Sequence, residues 1–260
     1  MELSQSFELR WRVVLVSARM RNKYYEAGEQ RAAKVGDLFA TIAPRYDLIN
    51  DLQSFGLHRW WKRRLVKLAT AKPGQRALDV CCGTGDVAFA LARQGAKVTG
   101  LDFSEPMLVV ARKRGGRSPG SEVQSPKFLW GDAQEIPFPD QSFDIVTVSY
   151  GLRNLSSWDR GLSEMWRVAK PGGRLLVLDF GKPDNAVWRA VYFGYLRLVV
   201  PVFGRVFCRD AQAYAYILES LKHYPAQHGV AAKMQEMGCR DVRIIPLLGG
   251  VMTINHGVKP

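Results

Sequence analysis

From Arg76 to Phe180 the chain alternates short, mostly apolar runs with amphipathic ones. The apolar runs are Arg76–Cys82, Lys97–Asp102, Phe128–Trp130, Phe143–Tyr150 and Arg174–Phe180, and their length predicts strands. Helices are predicted between them, over Gly85–Arg93, Glu105–Arg114 and Arg160–Val168. Strands alternating with helices imply right-handed crossovers and a mostly parallel sheet covered on both faces. Arg114–Pro126 is rich in Gly, Ser and Pro and reads as a surface loop.

The flanks follow another rhythm. Over 36–72, Trp60, Trp61, Leu65 and Leu68 recur at helical spacing until Pro73-Gly74 stops the pattern. Downstream, Trp188–Phe207 is aromatic and apolar, and helices are predicted over Ala213–Leu221 and Val230–Met237. Two last strands, Val242–Leu247 and Val251–Asn255, flank Gly249-Gly250 and should pair as a hairpin. That puts antiparallel pairing at one edge of the sheet. The expected organisation is a basic extension over 1–35, with Met20 as an alternative start, followed by one α/β domain over 36–260. That domain would carry a helical segment at 36–72 and a helical cover inserted at about 184–225.

Composition narrows the class. With 260 residues, 47% hydrophobic and 23% charged, the chain can build a large core and is not a disordered one. The longest apolar stretch, Ala186–Cys208, is interrupted by Arg189, Arg197, Pro201 and Arg205, which excludes a membrane span of ~20 residues. The 37 basic and 24 acidic residues leave a net charge of +13, which favours anionic partners or is simply scattered over the surface. No run of five basic residues occurs, so nucleic acid is not expected; the densest stretches are Lys62-Arg63-Arg64 and Arg112-Lys113-Arg114. Cys81, Cys82, Cys208 and Cys239 form no C-x-x-C pair and no metal-ligand spacing, so no metal is expected and the compartment reads as reducing. Arg10 and Arg12 break the only N-terminal apolar run, so no signal peptide is read there and the protein is expected in the cytoplasm.

The chemistry concentrates in Leu78-Asp79-Val80-Cys81-Cys82-Gly83-Thr84-Gly85-Asp86, where a strand meets a glycine turn and a helix. Such a turn lies at the carboxyl edge of a parallel sheet, where ligands bind. Gly83, Gly85 and Ala88 satisfy G-x-G-x-x-G/A, so a nicotinamide dinucleotide must be weighed beside an adenosyl cofactor. Asp102 ends the second strand, placed for ribose hydroxyls, and Asp132-Ala133 follows the third, placed for an adenine. Either acid is also at home as a helix cap or turn residue. Nothing in this stretch calls for a pyrophosphate, which disfavours the dinucleotide.

These stretches resemble the class I S-adenosylmethionine-dependent methyltransferase fold: α/β, Rossmann-like, with a mostly parallel seven-stranded sheet and an antiparallel edge strand. Three more narrow it: Tyr46-Asp47-x-x-Asn50-Asp51-Leu52-x-Ser54-Phe55-Gly56-x-His58-Arg59-x-Trp61, Tyr150-Gly151-Leu152-Arg153-Asn154 and Arg167-Val168-x-Lys170-Pro171-Gly172-Gly173-Arg174. From about Val35 onward the chain resembles the ubiquinone/menaquinone biosynthesis C-methyltransferases. The resemblance implies S-adenosylmethionine as co-substrate, contacted by Asp79, Gly83, Thr84, Gly85, Asp102, Asp132, Ala133 and Ser149. It implies a prenylated quinol as substrate, naphthoquinol before benzoquinol, since a quinone carbon is electrophilic and only the reduced ring is a nucleophile. Peripheral contact with an anionic membrane surface and a homodimer are compatible with it. Cys81-Cys82 departs from the small residues of many relatives and raises a minor redox alternative.

Ring methylation needs a base and donors to a developing phenolate. Arg153 is the candidate for the charge, Asn154 for a donor, and His58 for the base, with Asp51 and Tyr46 behind them. Each has a plainer reading: Asp51 as a helix cap, His58 as a packed histidine, Arg153 paired with Asp144 or Asp159. Trp188–Phe207 reads either as a helical cover on the sheet or as the wall of a tunnel for a polyprenyl tail, its arginines meeting anionic headgroups.

Overall fold

The apolar runs form the strands they predict. In the computed structural model, which describes residues 46–116, 124–202 and 212–260, these are β1 (Arg76–Val80), β2 (Lys97–Asp102), β3 (Lys127–Trp130), β4 (Phe143–Ser149) and β5 (Ala169–Phe180). They pair in parallel. The closing hairpin adds β6 (Arg240–Leu247) and β7 (Met252–Val258), joined by a turn at Leu248–Gly250. Strand order is β3-β2-β1-β4-β5-β7-β6, with β7 antiparallel to both neighbours. The chain builds outward from β1 to β3 and then returns to β4 beside β1. That reversal opens a crevice at the carboxyl ends of β1 and β4.

Alternation within the strands sorts the core. Val146, Leu175 and Val177 face one apolar cluster, while Ile145, Leu176 and Leu178 face the other. The helices are α1 (Tyr46–Ser54), α2 (Leu57–Ala69), α3 (Asp86–Ala92), α4 (Glu105–Gly115), α5 (Trp158–Val168), α6 (Ala186–Leu198), α7 (Gln212–His223) and α8 (Ala226–Glu236). Trp61 and Leu65 of α2 and Leu91 of α3 pack into the second cluster. Met165 of α5, Tyr192 of α6, Ile217 of α7 and Val230 of α8 pack into the first.

Several boundaries differ from the sequence pattern. The described part of the helical segment, from Tyr46 onward, is two helices, because Phe55 and Gly56 adopt φ of 51° and 75° and turn the chain. α5 starts at Trp158, where the Ser157 hydroxyl caps it by accepting the Arg160 N–H. β5 starts at Ala169, so Lys170-Pro171-Gly172-Gly173 lies within the strand span. The extension over 1–35, Cys208 and much of Arg114–Pro126 lie outside the described residues.

One side chain fixes the loop after β3. Arg167 donates to the carbonyls of Ile136 and Phe138 at 2.9 Å each, to Asp140 at 2.7 Å and to Glu164 at 2.7 Å. Glu164 in turn accepts the Ile136 N–H at 2.8 Å. The segment carrying Asp132 and Ala133 is thereby tied to α5. We expect Arg167→Ala to cost about 2 kcal/mol of stability, measured as a lower urea midpoint with an unchanged m value.

Candidate active site

A cleft of about 800 Å³ opens where β1, β2 and β4 end. Of the residues singled out in the sequence, Gly83, Asp102, Asp132, Ala133, Ser149 and Asn154 line it. Asp102 accepts the Gly83 N–H at 2.7 Å on one oxygen and the Ser104 N–H at 2.8 Å on the other. Burial raises its pKa above the ordinary carboxylate value, against the pull of those backbone donors. Asp132 is held by the Gln134 N–H at 2.8 Å, and Gln134 is anchored by Ser156 and Ser157. The hydroxyl of Ser104, buried in the same wall, has no hydrogen-bond partner among the described residues. A carboxylate with oxygens open to diol-type donors and an orphaned hydroxyl fit an adenosyl ligand.

Asp79, Thr84 and Gly85 lie outside the cleft lining. Asp79 is the register partner of Thr147 on β4 and accepts its hydroxyl at 2.8 Å, wholly buried. Gly85 serves packing: at φ 87°, a Cβ would come within 2.8 Å of Phe128. Cys81 and Cys82 are free thiols, and burial pushes both pKa values well up, which disfavours the thiolate that redox exchange needs. Cys81 instead packs against Gly151, where any Cβ would lie 2.3 Å from its own. Phe103, Ser104 and Met107 were missed, although their place directly after Asp102 at a strand end is a usable signal.

A second cavity of about 850 Å³ adjoins the first through Tyr150, which lines both. Its walls come from α1, α2, α6, α7 and the ends of β5 and β7, and they are mainly aromatic and aliphatic. His58 and Arg153 line it. Arg153 is buried, with its Nε 3.2 Å from the Asp179 carboxylate. Its Nη1 donates to Asn154 at 2.8 Å and Ser220 at 2.9 Å, and its Nη2 to Tyr216 at 3.3 Å. The partner expected from sequence, Asp144 or Asp159, is thus corrected to Asp179: Asp144 binds Lys170 and the Arg76 N–H, and Asp159 the Ser157 hydroxyl. Burial raises the Asp179 pKa, and Arg153 opposes the rise.

His58 Nε2 lies 2.7 Å from Asp51 Oδ1. Asp51 sits inside α1 rather than capping it, and Arg59 also binds its carboxylate. Arg59 holds the Asp51 carboxyl below the ordinary range despite burial, helped by His58. An ionised carboxylate accepts only, so the proton resides on Nε2 and the lone pair on Nδ1. That Nδ1 is buried and has no partner among the described residues. Burial lowers the His58 pKa against the pull of Asp51, keeping the ring neutral. Tyr46 begins α1, and its side chain lies outside the described residues.

Three further polar atoms on this cavity are buried without partners among the described residues: Gln53 Nε2, Trp61 Nε1 and the Tyr192 hydroxyl. The basic stretches are in part spent internally. Lys62 and Arg114 both bind Asp86, at 2.8 and 2.6 Å, and Arg112 binds Glu105. No group of three or more metal-ligating side chains occurs among the described residues.

The ubiE/COQ5 methyltransferase family model matches residues 26–259. The chain belongs to the ubiE/COQ5 methyltransferase family. It is 40% identical to the ubiquinone/menaquinone biosynthesis C-methyltransferase UbiE of Ectopseudomonas mendocina, over 89% of this chain and 91% of that one. It is also 40% identical to the demethylmenaquinone methyltransferase of Desulfitobacterium hafniense, over 90% and 93%. A SAM-dependent methyltransferase structure from Aquifex aeolicus superposes with a TM-score of 0.55 at 20% identity, over 76% of this chain and 89% of that one. The methyltransferase therefore has the class I α/β fold expected from its sequence.

Two outcomes follow for the methyltransferase. Asp102→Ala should weaken S-adenosylmethionine binding on the order of 100-fold by calorimetry, with the circular dichroism spectrum retained. Asp79 tests linkage. Burial pushes its pKa up to about 7, so the native state keeps a proton that an unfolded carboxyl near 3.8 has released. Stability should therefore fall as pH rises from about 4 to about 7, by at most about 1.4 kcal/mol per unit from this group. Asp79→Asn should flatten that slope in urea titrations; an unchanged slope would clear Asp79 of it.

Proposed function

We propose that the methyltransferase transfers the methyl group of S-adenosylmethionine to a ring carbon of a prenylated quinol, demethylmenaquinol first, in respiratory quinone biosynthesis. The observation that carries this reading is the second cavity: an apolar, aromatic chamber that shares Tyr150 with the first cleft and holds buried polar atoms without partners among the described residues. Gln53 Nε2 and Trp61 Nε1 are donors in need of oxygen acceptors, and Tyr192 brings a hydroxyl. A flat apolar ring bearing two oxygens meets that demand. The named relatives, with quinone methylation in their names, support the same choice.

When bound, S-adenosylmethionine supplies an electrophilic methyl on a sulfonium and leaves as the thioether. The protein's part is alignment, exclusion of water and handling of protons. His58 Nδ1 accepts the hydroxyl proton of the quinol, which drives electron density to the ring carbon that forms the new C–C bond. Asp51, fixed by Arg59, holds the ring tautomer and stabilises the imidazolium. Arg153 provides positive charge for the phenolate, and Asn154, which lines the cleft and accepts from Arg153, orients the reacting edge. Loss of the ring C–H proton restores aromaticity, His58 returns its proton to the oxygen, and one proton is released per turnover. The apolar walls keep water from competing for the methyl group.

The deciding assay is transfer of labelled methyl to chemically reduced demethylmenaquinone, with the oxidised quinone and the reduced benzoquinone precursor as parallel arms. Label in the reduced naphthoquinol alone is expected. Label in the benzoquinol alone would reassign the substrate, and none in either, with cofactor bound, would overturn the reading. His58→Asn should lower kcat about 100-fold or more with cofactor affinity kept. Since burial lowers its pKa, the acid limb of the wild-type kcat profile should lie below the ordinary histidine value of 6.5. An acid limb surviving in His58→Asn would remove His58 from proton transfer.

A further inference from the structure

Helix α6 carries two apolar stripes. At 3.6 residues per turn Tyr192 and Leu196 share one, and both are buried on the second cavity. Val187, Val191 and Leu198 share another, roughly 140° away, and are 75%, 55% and 55% exposed. A surface helix normally turns polar residues outward, and one apolar on both sides is made for a second apolar phase. The stripe does not stand alone. Tyr195 donates its hydroxyl to the Gln53 carbonyl at 3.1 Å, joining α6 to the end of α1. Immediately beyond lies the α1–α2 turn, where Phe55 is 80% exposed and Leu57 and Trp60 also face solvent. At the other end Trp188 donates to the Leu248 carbonyl at 3.1 Å, bringing a further exposed leucine into the surface.

The exposed charge of the two helices is basic. Neither α2 nor α6 contains an acidic residue; Lys62 is buried on Asp86 and Arg59 is paired with Asp51 of α1, which leaves Arg63, Arg64 and Lys67 of α2 and Arg197 of α6 as the exposed cations. Arg63 and Arg64 stand three and four residues after Trp60, on its exposed side of the helix. The nearest acid before α6 is Asp184, which pairs with His228 at 2.7 Å. Exposed aromatic and branched residues ringed by arginines and lysines suit the interfacial zone of an anionic bilayer.

We infer that the outer faces of α6 and the α1–α2 turn form a docking surface for an anionic lipid membrane. The same two elements wall the second cavity with their inner faces, so docking would bring that chamber to the bilayer in which a polyprenyl quinol is dissolved. The inference rests on the quinol reading for the identity of that cargo, and not for the surface itself.

The test uses the full-length protein and vesicles of phosphatidylcholine with and without phosphatidylglycerol. Wild type should sediment with the anionic vesicles, less so at high salt. Val191→Glu and Phe55→Glu should each lower vesicle affinity on the order of tenfold, the loss of one inserted apolar side chain. Both variants should turn over a short-chain, water-soluble quinol like wild type and lose activity only on long-chain quinol held in vesicles. Wild-type indifference to vesicles, or variants that bind like wild type, would overturn the inference. So would variants that leave vesicle binding intact but convert a dimer to a monomer by analytical ultracentrifugation, which would make the surface an interface between copies. Absence of methyl transfer to the short-chain quinol by wild type would sink the quinol reading while the sedimentation result still judged the surface.

Discussion

The buried pair of Arg153 and Asp179 is the constraint around which the two chambers are arranged. A guanidinium with 3% of its side chain exposed persists only if its charge is matched and its N–H groups are used. Asp179 matches the charge, placing an oxygen 3.2 Å from Nε, and also accepts the Arg153 backbone N–H at 3.1 Å, while Asn154, Ser220 and Tyr216 accept the Nη N–H groups. The carboxylate stands at the end of β5 and the guanidinium in the 3-10 turn after β4, so the pair locks two neighbouring strand ends together. From there Arg153 reaches Ser220 and Tyr216 of α7, which fastens the helical cover to the sheet. Through Asn154 it also reaches the wall of the cofactor cleft. Removing either charge would leave the other buried without its partner, which is why cover, turn and cleft stand or fall together.

The two chambers differ in electrostatic character. Asp102 and Asp132 line the cleft, while Arg153, whose charge Asp179 matches, lines the apolar chamber. Under the proposed reading, an anionic cleft receives a sulfonium cation, and the chamber presents the guanidinium side of a neutral ion pair to the phenolate. The two reactants then meet across Tyr150. Tyr150 has φ of 62° and Cys81 φ of 52°, so side-chain-bearing residues hold left-handed backbone at the ends of β4 and β1. That conformation is unfavourable for such residues and persists where surrounding packing imposes it, here at the junction of both chambers.

How much of this is legible in the sequence depends on how local each feature is. The strand-turn-helix at Leu78–Asp86 is legible because its glycines and apolar run are contiguous, and Asp102 because it closes a run of its own. The side-chain direction of Asp79 is a matter of register that the sequence does not display: it faces Thr147 across the β1–β4 pair and bonds its hydroxyl within the sheet. Asp179 was passed over for Asp144 and Asp159, since all three acids lie within 26 residues of Arg153 and only the strand pairing separates them. Trp61 reads as one residue of a helical pattern, Tyr192 lies within the aromatic Trp188–Phe207 stretch, and nothing local singles out Gln53. Their polar atoms become conspicuous only when three separate elements enclose them, which no one-dimensional period records.

That enclosure also explains why the sheet alone does not define the chemistry. A doubly wound sheet supplies the cofactor cleft wherever it reverses, and one such scaffold supports many reactions. The acceptor chamber is made by additions to it. His58 comes from the helices before β1, Tyr192 and Tyr216 from the helices between β5 and β6, and Arg153 from the turn after β4. Under the proposed reading each addition contributes a different requirement: the base, the apolar walls with their hydroxyls, and the charge. His58 also depends on Asp51 and Arg59 from its own hairpin, so its ring arrives with its orientation already set. A change in acceptor would therefore be written in α1, α2, α6 and α7, with the glycine turn and Asp102 left as they are.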